Sequence, residues 1–177
     1  MRRDARQAFL CMPVLVPEAT VITDACAGPE AGPGCAWPTG CGVGGIGPNG
    51  EWFSEEIPVH IFPWCRRRLE GGNIAGPAEL FACILALRLW GPQARVEQGE
   101  GMVAFPVATD NQANTYVFGR LYASRPPLSW CLREFALAAI QERVLPAALR
   151  VPGDTNVVPD RLNKGVQQSS VPKSTRT

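Results

Sequence analysis

MVAFPVATDNQANTYVFGRL, from Met102 to Leu121, climbs as an apolar run to Thr109 and breaks at Asp110 and Asn111, where a helical pattern starts. The run predicts a buried strand, and the residues from Gln112 to about Leu121 a short helix behind it. Asp110 at the junction has an ordinary explanation, because an aspartate before a helix caps its free N–H groups. A carboxylate at the tip of a buried strand has a second use only if other carboxylates reach the same place.

Working outward, ATVITDAC (19–26) is rich in β-branched residues and reads as a strand ending in Asp24. Glycine- and proline-rich sequence follows, first as loop and then as a glycine-rich strand, CGVGGIG. Asn49-Gly50 signals a hairpin turn, both residues tolerating positive φ. GPAELFACILALRLWG (76–91) predicts a helix with Gly76 as N-cap, Pro77 at its first position and Gly91 as its stop. That helix is apolar nearly all round and so buried on more than one side, with Glu79, Cys83, Ala86 and Trp90 along one face. A second long helix starts near Pro127 with Ser129 as a capping group. A short strand, PAALRVPG, and a terminal helical turn in DTNVVPDRLNKG complete the order.

Three meandering strands followed by β-α-β-α units predict an α/β fold. Its five-stranded mixed sheet combines an antiparallel meander with parallel strands, and helices cover both faces. Pro106 lies in a strand that this topology makes interior, so the strand is expected to be short or bulged there. Residues 1–18 read as a connecting segment, 19–164 as one domain and 165–177 as a disordered Ser/Thr/Pro/Lys tail.

The 177 residues are 46% hydrophobic, enough for one well-buried domain. The net charge of +1 gives no global sign of nucleic-acid binding, so that function must rest on local features. Seven cysteines contain no Cys-x-x-Cys pair, and Cys26, Cys35, Cys41 and the single histidine, His60, match no standard zinc spacing. Reduced, mostly buried thiols in an intracellular protein fit better, with nucleus and cytoplasm not distinguished. The N-terminus has the basic-then-apolar look of a signal peptide, but Pro13 breaks it. No stretch approaches a membrane span.

In sheets of this kind chemistry collects at the carboxyl ends of the strands. Asp24 and Asp110 sit at two such ends, Glu79 opens the helix between them, and Asp160 opens the last helix. If the two strands are neighbours, like charges crowd together and need cations or protons to persist. Hard divalent cations with oxygen ligands, Mg²⁺ or Mn²⁺, meet that need.

VITDAC, AELFACILAL, ATDNQAN and VPGDTNVVPDRLN, in that order and spacing, resemble the ribonuclease H domain of retroelement polyproteins, the branch in which it follows a reverse transcriptase. The resemblance spans residues 20–164 and implies a ribonuclease H-like fold. It implies endonucleolytic cleavage of RNA within an RNA–DNA hybrid by two Mg²⁺ or Mn²⁺ ions. The family's four acids carry over as Asp24, Glu79, Asp110 and Asp160. Asp24 would bridge the ions, with Glu79 and Asp110 on one and Asp160 on the other. Asn111, Gln112 and Asn114, just past Asp110, are candidates for sensing 2′-hydroxyls. Arg66, Arg67 and Arg68 form the compact basic cluster that could grip phosphates. A reverse transcriptase domain is the implied partner in a parent polyprotein. The sequence departs from the family in having no histidine after His60, and in Pro159 before the fourth acid.

Other readings remain open. Taken singly, Asp110 is an N-cap, Glu79 and Asp160 are first-turn acids, Asp24 is a turn residue, and the five tryptophans are core or hairpin-packing residues. The domain could be a catalytically silent ribonuclease H-like module that docks nucleic acid or protein, or an integrase- or resolvase-type nuclease. A dinucleotide site is the weakest alternative, because GVGGIG runs into a hairpin and not into a helix.

Overall fold

The computed structural model describes residues 20–26, 36–37, 41–58, 74–98 and 101–165, the side chains of 95–98 excepted. The elements are β1 (Val21–Cys26), β2 (Gly42–Ile46), β3 (Trp52–Glu56), α1 (Ala75–Gln98), β4 (Val103–Thr109), α2 (Gln112–Arg120), α3 (Leu128–Glu142), β5 (Val144–Arg150) and α4 (Val157–Asn163), with a 3₁₀ turn at Gly153–Thr155. The strands form one mixed sheet in the order β3-β2-β1-β4-β5. β1 is antiparallel to β2 and β2 to β3, whereas β1, β4 and β5 are parallel. The predicted meander and crossovers therefore hold. No helix among the described residues is long and apolar enough to cross a membrane.

Alternation along β1 assigns the two faces. Thr23 Oγ1 lies 3.2 Å from Cys83 Sγ of α1, while the Cys26 thiol donates to the Asn163 carbonyl of α4 at 2.9 Å. Odd residues thus face α1 and even ones, including Asp24, face α4. α1 is buried or half-buried from Ala75 to Ala94, as its all-round apolar sequence predicts. It packs on β1, β2 and β4 and against α3. Phe53 and Trp90 join sheet to helix with ring centroids 5.6 Å apart, and Phe118 and Phe135 join α2 to α3 at 4.8 Å. The described cysteines, Cys26, Cys41, Cys83 and Cys131, are reduced and buried.

Several local expectations are corrected. Asp24 does not end β1: pairing of Ala25 with Val43 and Cys26 with Gly42 carries the strand two residues further on its β2 side. α1 starts at Ala75, before Gly76, and does not stop at Gly91 but continues through Pro92 to Gln98. A residue before proline avoids helical dihedrals because its Cβ meets the proline ring; glycine has none. A Cβ on Gly91 would also stand 3.3 Å from Glu142 Cβ, where α3 crosses and Arg88 pairs with Glu142 at 3.1 Å. Of the Asn49-Gly50 pair only Gly50 takes positive φ (80°), its N–H donating to Gly47 C=O at 3.0 Å. Ser129 lies inside α3 and makes no cap. Trp52 and Trp90 are buried as expected, but Trp130 is 56% exposed.

Pro106 neither shortens nor bulges β4, which pairs with β5 without a break from Val103↔Val144 to Thr109↔Arg150. On the other side the β1 ladder engages only Val107 and Ala108, so Pro106 stands just before it begins. Pro146 is in β5, the edge strand, where a missing donor is tolerated.

The glycine-rich β2 explains how α4 sits. Gly42 and Gly44 face α4, and a Cβ on Gly44 would lie 2.5 Å from Asn163 N and 2.6 Å from Leu162 Cβ. The absent side chains let the helix backbone rest directly on the sheet. The last carbonyls of α4, otherwise unsatisfied, then find partners there. Ser54 Oγ donates to Leu162 O at 2.6 Å, Trp37 Nε1 to Asn163 O at 2.6 Å, and Ala36 N to Lys164 O at 2.8 Å. Gly44→Val should therefore lift α4 and cost about 1–3 kcal/mol or more. Gly119→Ala, with nothing within 4 Å of its Cβ, should gain about 0.5–1 kcal/mol. Urea unfolding midpoints check both.

Candidate metal centre

The parallel register brings the first two acids together. Ile22 pairs with Ala108, and two residues on, one step past the ladder on the same face, stand Asp24 and Asp110. Glu79 reaches them from the second turn of α1 and is not the first-turn acid expected, because the helix starts at Ala75. One carboxylate oxygen from each of the three lies within 4.8 Å of the others. Asp24 and Glu79 are buried, and Asp110 is half-buried. Among the described residues no lysine or arginine pairs with any of the three.

Glu79 is held by three donors. Thr109 Oγ1 donates to its Oε2 at 2.9 Å, Asn111 Nδ2 to its Oε1 at 2.9 Å, and Asn114 Nδ2 to its Oε2 at 3.3 Å. Asn114 Nδ2 also donates to Gly76 O at 3.1 Å, binding the start of α1 to α2. Asn111 caps α2 by accepting from Ala113 N and Asn114 N on Oδ1. The cap expected of Asp110 is therefore made by its neighbour, and Asp110 is left facing the other acids. Asp24 accepts a hydrogen bond from Ala25 N at 2.8 Å.

The cost of the cluster shows in its proton affinity. Burial, then the charge of Asp110, raises the pKa of Asp24 to about 8, with smaller pushes from Glu79 and Asp160, against the Ala25 hydrogen bond. Burial likewise raises Glu79 to about 7, against the hydrogen bonds of Asn111, Thr109 and Asn114. Three converging oxygen donors with no cation beside them among the described residues, two of them buried with raised proton affinity, are compatible with a divalent metal site.

Asp160, the fourth predicted acid, stands apart from the three. It lies in the first turn of α4, half-exposed, and its carboxylate pairs with Lys164 Nζ at 2.8 Å. Asn114, expected to face a nucleic acid, is 1% exposed, and its amide is turned to Glu79 and Gly76. Asn111 is spent on the cap and on Glu79, while Gln112 is exposed beside the site. Arg66, Arg67, Arg68 and His60 lie outside the described residues. Thr109 and Lys164 escaped the sequence reading. The i, i+4 spacing of Asp160 and Lys164 carried a signal for the second; nothing marked the first.

Neither a family model nor a curated protein sequence matches the chain. Among solved structures it is similar to ribonuclease H1 from the halophilic archaeon Halobacterium salinarum NRC-1, at 16% identity and a TM-score of 0.52, covering 83% of this chain and 95% of that one. It is also similar to LC11-RNase H1 in complex with an RNA/DNA hybrid, at 17% identity and TM-score 0.56, covering 81% and 91%. A further structure of LC11-RNase H1, isolated from compost by a metagenomic approach, matches at 18% identity and TM-score 0.52, covering 84% and 97%. The chain has the ribonuclease H-like fold.

A carboxylate whose pKa is raised on folding stabilises the fold at low pH and withdraws that stability as pH rises through the folded value. The metal-free protein should therefore lose stability between about pH 4 and pH 8, the span from the ordinary value of Asp24 to its folded one. Asp24→Asn should flatten that fall and raise the melting temperature at pH 8, by about 2–4 °C for each kcal/mol of repulsion relieved. Mn²⁺ should stabilise the wild type more than the variant. Thermal unfolding across pH, with and without the ion, reads all three effects.

Proposed function

We propose that the chain is a metal-dependent endonuclease hydrolysing the RNA strand of RNA–DNA hybrids. The observation that supports this most is the convergence of Asp24, Glu79 and Asp110 at the carboxyl edge of a ribonuclease H-like sheet. Asp24, Glu79 and Asp110 would hold one divalent cation, and Asp160 with Asp24 a second. Such ions supply positive charge to a phosphate and lower the pKa of water. Every other task falls to the chain. Thr109, Asn111 and Asn114 fix the Glu79 carboxylate so that it need not reorganise when a cation or phosphate arrives. α2 begins beside Asp110 and carries the exposed Gln112, which would meet sugar hydroxyls of a hybrid.

One of the similar proteins is described as bound to an RNA/DNA hybrid, and that substrate class is the natural one here. The four motifs around the acids support descent from a retroelement polyprotein, with a reverse transcriptase as former neighbour. Buried reduced thiols fit an intracellular setting. A second reading, a silent hybrid-binding module, draws on one observation: Asp160 is paired with Lys164 and lies outside the three-acid group.

Incubation of an end-labelled hybrid with Mg²⁺ or Mn²⁺ separates the two. The nuclease cuts the RNA strand, Asp110→Asn abolishes cutting, and Thr109→Val, which removes one donor to Glu79, lowers it about 10–100-fold. A hybrid retained but left intact under both metals favours the silent module.

A further inference from the structure

We infer that Lys164 is a resident cation of this site, occupying on Asp160 the place a second divalent ion would take, so that the acids load metal in two unequal stages. The inference rests on the metal-site reading above and adds a regulator to it.

The asymmetry among the four acids is the starting point. Asp24, Glu79 and Asp110 share a space with no protein cation among the described residues, whereas Asp160 already has one at 2.8 Å. Asp160 still belongs to the same electrostatic field, because its charge contributes to the raised proton affinity of Asp24. The three-acid group therefore offers a first cation three carboxyl groups with no described lysine or arginine on any of them. The Asp160–Lys164 pair is formally neutral, and a second cation arriving there meets the ammonium as a like charge.

The geometry fixes the lysine in that role. Its backbone N–H donates to Arg161 O at 3.2 Å and its carbonyl accepts from Ala36 N at 2.8 Å, so the side chain springs from a pinned main chain one turn beyond the acid. The pair is partly exposed, with side-chain exposures of 28% and 46%. Exposed i, i+4 pairs are weak and open readily, so Lys164 competes with a cation without barring it. Neither the Asp160 nor the Lys164 side chain is needed to seat α4, which is held through main-chain carbonyls by Ser54, Trp37 and Ala36.

The test titrates the full metal-free chain with Mn²⁺ alone, by calorimetry and by thermal unfolding, with no nucleic acid present. The wild type should show a tighter and a weaker event. Lys164→Met should tighten the weaker one roughly two- to fivefold, the range to which weak exposed pairs convert, and leave the tighter one in place. Lys164→Arg, which keeps the charge, should retain the wild-type isotherm and guards against a loss of folding in the first variant. Asp160→Asn should remove the weaker event, after which Lys164→Met changes nothing. A weaker event untouched by Lys164→Met, or a single event in the wild type, overturns the inference. Intact hybrid alongside two-stage binding refutes only the substrate assignment, and an absence of any Mn²⁺ binding refutes the metal site itself.

Discussion

Three carboxylates converge in this protein where no described residue supplies an opposite charge, and the surrounding structure is arranged to hold them there. Bringing Asp24, Glu79 and Asp110 within 4.8 Å of each other works against both desolvation and mutual repulsion. The sheet register sets two of them by main-chain hydrogen bonds, which side-chain repulsion cannot easily rearrange. Three side-chain donors set the third. The result is a metal-free state that prefers to hold protons, in which a divalent cation would replace those protons and relieve the repulsion in one step.

Much of this was legible from the residues. Apolar runs, turn signals and element order gave the mixed sheet, and acids at element edges pointed to the cluster before any distance was known. The resemblance carried by the four motifs gave those acids, Asp160 among them, their implied role as metal ligands. Legibility failed where tertiary contacts overrode local signals. Gly91 looks like a stop, yet the crossing of α3 at Glu142 makes a glycine in helical conformation the better packed choice. Pro106 looks like a defect, yet the neighbouring ladder starts one residue later. Asn114 looks like a surface amide beside the site. Helical periodicity instead turns it inward, where Glu79 and Gly76 accept hydrogen bonds from its amide.

The capping of α2 shows how one residue's role decides another's. Asn and Asp serve nearly equally well before a helix, and the pair Asp110-Asn111 offers both. Because Asn111 takes the cap with Oδ1 and Glu79 with Nδ2, the carboxylate before it is released from local duty. A neutral amide can be donor and acceptor at once; an ionised carboxylate cannot donate. Exchanging the two residues would take from Glu79 one of its three donors, the one on Oε1, and leave the sheet edge without an acid.

β2 carries a column of missing side chains on the face where α4 lies, and the reach of the fourth acid depends on it. The helix is fastened by its final carbonyls to Ser54, Trp37 and Ala36, and Asp160 stands a turn earlier on the same rigid rod. Its height above Asp24 is thus set by the thickness of the layer beneath, not by α4's own sequence. Added bulk at Gly42 or Gly44 would act as a shim, tilting the rod and altering the spacing between cation positions without touching a single ligand.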